Sequence, residues 1–128
     1  MPRPVPFSPT VLCIDDNTTA LRVRRLLLES RGYRVLTAAS GPEGIKVFEA
    51  ESVDIVVLDY YMPGMLGDAV AEVLKQQKPA IPIVLLSAYL DLPSEVLTHI
   101  DQYVCKGQSP ALLLSKVADL LAAGSRLA

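Results

Sequence analysis

The sequence predicts an α/β fold: a doubly wound, parallel five-stranded sheet with helices on both faces. Three observations predict it. Short apolar runs alternate with longer amphipathic stretches along the whole chain. The runs over 53–58 (VDIVVL) and 81–86 (IPIVLL) are nearly continuous in apolar residues, as strands covered on both faces are. The chain has 128 residues, 51% of them hydrophobic and 20% charged, which suits one domain with its own core. Strands that alternate with helices connect by right-handed crossovers, and that connection makes their pairing parallel.

Each element has its own signal. TVLCI at 10–14 is a β-rich run that ends in two aspartates. A helix is expected from Thr18 to about Ser30, with Leu21, Leu27 and Leu28 among arginines, Asn17 as its N-cap and Gly32 as its stop. Residues 33–38 are strand-like. Residues 41–50 suit a helix, with Pro42 at its start and Ile45 and Phe48 on one face. The apolar run over 53–58 is a strand ending at Asp59. The stretch 68–77 is helical, with Val70, Val73 and Leu74 in phase. The run over 81–86 is a strand ending at Ser87. A short helix is expected over 94–100 and a short strand over 102–105, ending at Lys106. The last helix runs from Pro110 to Ala122, with Ser109 as N-cap. The organisation is then an N-terminal extension at 1–9, one domain at 10–123 and a tail at 124–128.

Composition excludes several roles. Twelve basic and 14 acidic residues leave a net charge of −2, whereas nucleic-acid and membrane-surface binding want a basic stripe. The cluster Arg22, Arg24, Arg25 and Arg31 is interleaved with leucines and reads as the solvated side of a helix. Prolines at 2, 4, 6 and 9 break any signal-peptide run, and no apolar run approaches the ~18 residues of a membrane span. Cys13 and Cys105 lie in apolar runs without Cys-x-x-Cys spacing, and His99 stands alone. That pattern argues against zinc and for reduced thiols in a cytoplasmic protein.

The polar residues at strand ends carry the functional signal. In an open parallel sheet, ligands bind beyond the carboxyl ends of the strands. There the first strand delivers Asp15 and Asp16, the third Asp59, the fourth Ser87 and the fifth Lys106. Two carboxylates about 4 Å apart repel by roughly 4 kcal/mol at an effective dielectric near 20. Three of them require either a raised pKa or a cation. An all-oxygen donor set calls for a hard cation, and Mg²⁺ suits few carboxylates beside phosphate oxygens. Acids, a divalent metal, a lysine and a hydroxyl around one carboxylate form a constellation for phosphoryl transfer. Asp59, alone at the end of the central strand, is the candidate nucleophile.

The segments Cys13-Ile14-Asp15-Asp16-Asn17, Leu58-Asp59-Tyr60-Tyr61-Met62-Pro63-Gly64 with Gly67, Leu86-Ser87-Ala88-Tyr89 and Tyr103-Val104-Cys105-Lys106 together resemble the marker motifs of CheY-like response-regulator receiver domains. The likeness runs from about Thr10 to Ala122. It implies a flavodoxin-like (βα)5 sheet in the order 2-1-3-4-5. It implies Asp59 as phosphoacceptor, Asp16 and Asp59 as direct Mg²⁺ ligands with the Tyr61 carbonyl, and Asp15 as a ligand through water. Ser87 would bond the transferred phosphoryl group, Lys106 would pair with Asp59 or its phosphate, and Tyr103 would be the switch aromatic. The partners implied are a sensor histidine kinase or phosphotransfer protein and a downstream protein partner. No nucleic acid is contacted directly, no membrane is involved, and phosphorylation-dependent homodimer formation stays open. Such a chain catalyses only its own phosphorylation and dephosphorylation. With no effector segment in 128 residues, it would act in trans through the surface of the 94–100 helix, the fifth strand and the last helix.

Three features depart from the family pattern. Gly107 follows the lysine where a proline, often in a cis bond, is usual. The spacing from Ser87 to Lys106 is short, so the 94–100 helix should be short or irregular. Tyr61 and Tyr89 flank the expected phosphoryl site, where their rings would hinder attacking water. Other functions weigh less. An aspartyl hydrolase wants a second carboxylate where Tyr61 stands, and a substrate cap. A flavin-type binder wants phosphate donors where Asp15 and Asp16 stand. A phosphorylation-independent scaffold would not need the full acid, hydroxyl and lysine set.

Overall fold

The computed structural model describes residues 8–89 and 91–127. The expected extension at 1–9 therefore lies outside the described residues except for its last two. The strands are β1 (Thr10–Ile14), β2 (Arg34–Ala38), β3 (Ile55–Asp59), β4 (Ile83–Ser87) and β5 (Gln102–Cys105). The helices are α1 (Thr18–Glu29), α2 (Gly41–Ala50), α3 (Gly67–Gln77) and α4 (Pro110–Leu127). The strands pair in parallel in the order β2-β1-β3-β4-β5.

Strand alternation builds two cores. Val11, Cys13, Val57, Val84, Leu86 and Val104 face Leu21 and Leu28 of α1 and Leu113, Leu114 and Val117 of α4. Leu12, Ile14, Val56, Leu58, Ile83 and Leu85 face Phe48 of α2 and Val70, Ala71 and Leu74 of α3. Every residue of β1, β3 and β4 is buried, which is why these strands are apolar on both faces.

Two strands start later and end later than the sequence predicts. Asp54 is diverted from β3 because its carboxylate accepts from the Thr10 N–H at 2.7 Å. Pro82 has no N–H to give to the ladder, so β4 begins at Ile83. Both shifts bring Asp59 and Ser87 onto the strands as their last residues, held by ladder bonds rather than by a loop.

The helix expected over 94–100 does not form, so the five-helix expectation becomes four α-helices among the described residues. The segment is a run of turns with i→i−3 bonds from Val96, Leu97, Thr98 and Ile100. Few residues are available there, and helix nucleation is costly. The Thr98 hydroxyl also donates to the Ser94 and Glu95 carbonyls, competing with helical pairing. His99, expected at a helix end, sits half-buried in these turns. The last helix continues to Leu127 rather than ending near Ala122.

Candidate functional site at the carboxyl edge of the sheet

Helix starts and tight turns shape this edge. Asn17 caps α1, its side chain accepting from the Ala20 N–H at 3.0 Å. The Met62-Pro63-Gly64 turn needs Gly64 at φ +88°, a conformation that favours glycine. Gly67 lets α3 begin against the end of β3: a Cβ there would lie 2.6 Å from the Asp59 carbonyl oxygen. The Gly67 N–H donates to the Tyr60 carbonyl at 2.7 Å, which fixes the backbone just beyond Asp59.

Asp15, Asp16 and Asp59 converge, each offering a carboxylate oxygen within 4.8 Å of the others. Asp15 and Asp59 are buried and Asp16 is exposed. Lys106 Nζ lies 2.5 Å from Asp59 Oδ1 and 3.6 Å from Asp15 Oδ2. Burial raises the Asp59 pKa above the ordinary carboxylate value. The Lys106 bond and charge oppose the rise, the Asp15 charge adds to it, and the Arg24 charge lowers it. The group is thus held between neutralisation and ion pairing, as expected of a carboxylate among other acids.

The Ser87 side chain is buried, and its Oγ accepts from the Tyr89 N–H at 3.0 Å. Its own O–H is left to donate. The Ser87 carbonyl accepts from the Lys106 N–H at 2.8 Å, so the hydroxyl at the end of β4 and the ammonium just past β5 are tied in one frame. A pocket of about 350 Å³ is lined by Asp15, Asp16, Asn17, Asp59, Tyr61, Ser87, Ala88, Tyr89 and Lys106. Tyr61 and Tyr89, which line it, are 65% and 57% exposed.

Six of the seven residues singled out from the sequence therefore meet at one pocket. Tyr103 is the exception. It packs against the α2–α3 core, and its hydroxyl is buried with no hydrogen-bond partner among the described residues. The peptide bond between Lys106 and Gly107 is trans, like every other among the described residues.

One residue of the site escaped the sequence reading. Arg24, assigned to the solvated side of α1, turns inward, its side chain only 11% exposed, with Nη1 3.2 Å from Asp15 Oδ2. Its place in phase with the buried Leu21 and Leu28 was the available signal.

The cluster can hold a metal ion. All its side-chain donors are carboxylate oxygens, which suits a hard divalent cation and not zinc. Cys13 lies beneath it, with its thiol pushed up to about 12 by burial, so it stays protonated and unreactive. No helix among the described residues is long and apolar enough to cross a membrane.

Residues 11–118 match the family model described as the response regulator receiver domain. The chain is 34% identical over 114 residues to the alkaline phosphatase synthesis transcriptional regulatory protein PhoP of Bacillus subtilis, covering 87% of this chain and 48% of that protein. It is equally identical over 114 residues to the probable transcriptional regulator ycf27 of Cyanophora paradoxa, covering 87% and 47%. The chain thus spans about half the length of these curated relatives. Among solved structures it is similar to a CheY-like response regulator receiver domain protein from Methanospirillum hungatei. That match has a TM-score of 0.91 at 26% identity, over 95% of this chain and 100% of that one. It is also similar to the response regulator TrrA from Thermotoga maritima in complex with Mg²⁺-BeF. There the TM-score is 0.83 at 33% identity, over 88% and 98%.

Proposed function

The chain belongs to the response regulator receiver domain family of two-component systems, and from that premise we propose that it is a phosphoacceptor switch working through Asp59. The observation that carries the reading is the Lys106–Asp59 contact of 2.5 Å beside two further carboxylates, in a pocket open to solvent. A structural ion pair would need one acid per base. Here two further acids crowd the buried Asp59 carboxylate at a strand end, on the wall of the pocket.

An Asp59 carboxylate oxygen attacks the phosphorus of a phosphohistidine on a sensor histidine kinase or phosphotransfer protein. The nitrogen–phosphorus bond breaks, and the imidazole leaves with a proton. Mg²⁺ fits the oxygen donors of Asp16 and Asp59, with the Tyr61 carbonyl beside them, and would offset the charge of the transferring group. Asp15 serves less directly: Oδ1 accepts from the Asn17 N–H at 2.9 Å, and Oδ2 faces Arg24 and Lys106. Both its oxygens have protein partners, which supports a role through water. TrrA, crystallised with Mg²⁺ and BeF, supports the same reading by similarity.

Phosphorylation adds roughly two negative charges to Asp59. Lys106 then pairs with the phosphoryl oxygens. The Ser87 hydroxyl swings to donate to one of them, and its bond from the Tyr89 N–H carries the movement into the following loop. Tyr103, packed beside β4 on β5, responds to that loop. The output surface for a downstream protein partner is then the 94–100 turns, β5 and α4. The free cysteines fit a cytoplasmic setting.

The test is incubation with acetyl phosphate and Mg²⁺, followed by measurement of acid-stable, hydroxylamine-labile phosphate on the protein. The parent takes up label, while the Asp59→Asn variant and the chelated parent do not. Equal labelling of Asp59→Asn would overturn the reading.

A further inference from the structure

We propose that Arg24 is the resident countercharge of the acidic cluster: its guanidinium holds Asp15 and sets how tightly the cluster binds a divalent cation. The inference rests on the reading above that the cluster takes Mg²⁺.

Position comes first. Arg24 lies on the α1 stripe shared with the buried Leu21 and Leu28, so the helix aims its stem at the sheet. The head reaches Asp15 Oδ2 at 3.2 Å from a groove lined by Ala20, Leu27, Val104 and Leu113. It does not line the pocket that Asp16, Asp59 and Ser87 line. Arg24 therefore touches the cluster from behind, through Asp15, and stays out of the path of a phosphoryl group.

Charge comes second. The Asp15 side chain is 1% exposed, and burying a carboxylate without a charge partner is costly. Lys106 is a poor dedicated partner, since its ammonium lies closer to Asp59 than to Asp15. Arg24 makes no other hydrogen bond or ion pair among the described residues. Three carboxylates with Arg24 and Lys106 sum to −1, and without Arg24 they sum to −2. The arginine holds the buried carboxylate in place before any cation arrives. The same positive charge opposes the incoming divalent ion.

The experiment uses the full chain without any phosphodonor. Mg²⁺ affinity is measured by calorimetric titration at fixed ionic strength, for the parent and for Arg24→Gln, Arg24→Met and Arg24→Lys. Loss of one charge at this range should tighten Mg²⁺ binding about tenfold in the two neutral variants. The lysine variant should stay within about twofold of the parent, which a mere packing role would not produce. Thermal melts in chelator accompany each titration. The neutral variants melt lower than the parent, and Mg²⁺ raises their melting temperature by more. Because Met keeps the apolar stem, it preserves the groove if Gln does not. Unchanged or weaker Mg²⁺ binding in the folded neutral variants overturns the inference, as does equal tightening in Arg24→Lys. Absence of Mg²⁺ binding in parent and variants alike overturns the reading of the cluster as a cation site, and the inference with it.

Discussion

The two edges of the sheet use the same residue types to opposite ends. At the amino edge each acid meets its own donors. Asp54 accepts from the Thr10 N–H at 2.7 Å. Asp101 accepts from the Ile83 N–H and from Lys75 Nζ, both at 2.8 Å. Lys78 spends its ammonium on the Phe48 and Glu51 carbonyls, 4.9 Å above the Phe48 ring. At the carboxyl edge three acids crowd together with Lys106 and Arg24 between them. The amino edge is a set of closed local pairs that tie loops to strand starts. The carboxyl edge holds excess negative charge beside an open pocket. Acids matched one to one with donors tie the fold together, whereas the surplus acids could hold a metal ion.

The sharpest way to break the comparison is to remove one acid from each edge. Asp16→Ala removes an exposed carboxylate, so the fold should be kept while Mg²⁺ affinity falls about a hundredfold, read by calorimetric titration. Asp101→Ala should do the reverse. It leaves the Ile83 N–H and Lys75 without their acceptor. Stability should fall by about 1–3 kcal/mol in urea unfolding, with Mg²⁺ affinity unchanged. If Asp101→Ala weakened Mg²⁺ binding as Asp16→Ala does, the two edges would not be separable.

A smaller effect separates the edges by pH. Burial raises the Asp59 pKa in the folded chain. Below the ordinary carboxylate value Asp59 is protonated whether the chain is folded or unfolded, so its ionisation costs nothing. As pH rises through the raised folded value, the unfolded state ionises more readily, and folding loses stability. In chelator, Asp59→Asn should therefore gain on the parent as pH rises from acid toward neutral, read by urea unfolding across a pH series. A difference independent of pH would contradict this sign. Smallest of all is the effect of the rim rings. Tyr61→Ala and Tyr89→Ala should each speed loss of the phosphoryl group a few-fold by opening the pocket to water, read as label decay after removal of the donor.

Much of this was legible in the sequence, for identifiable reasons. Parallel strands buried on both faces are apolar throughout, so β1, β3 and β4 stood out. Their carboxyl ends followed directly, and with them Asp15, Asp16, Asp59, Ser87 and Lys106. The 94–100 segment was harder. It carries helix-compatible residues, and the choice between helix and turns depended on chain length and on where Thr98 spends its hydroxyl. Arg24 was misassigned because charge was weighed above phase. A long arginine stem can lie along a buried stripe while its head reaches a buried acid. The boundaries of β3 and β4 moved because Asp54 and Pro82 make or lack particular backbone bonds, which composition does not report.

The central claim is that surplus acidity at the carboxyl edge serves a phosphoryl group on Asp59. The most direct test is to map that group after incubation with acetyl phosphate and Mg²⁺. Borohydride reduction of the labelled chain, followed by peptide mass spectrometry, should find the reduced residue at Asp59 alone. Reduction at Asp15 or Asp16, label on His99, or no labelled residue at all would contradict the account.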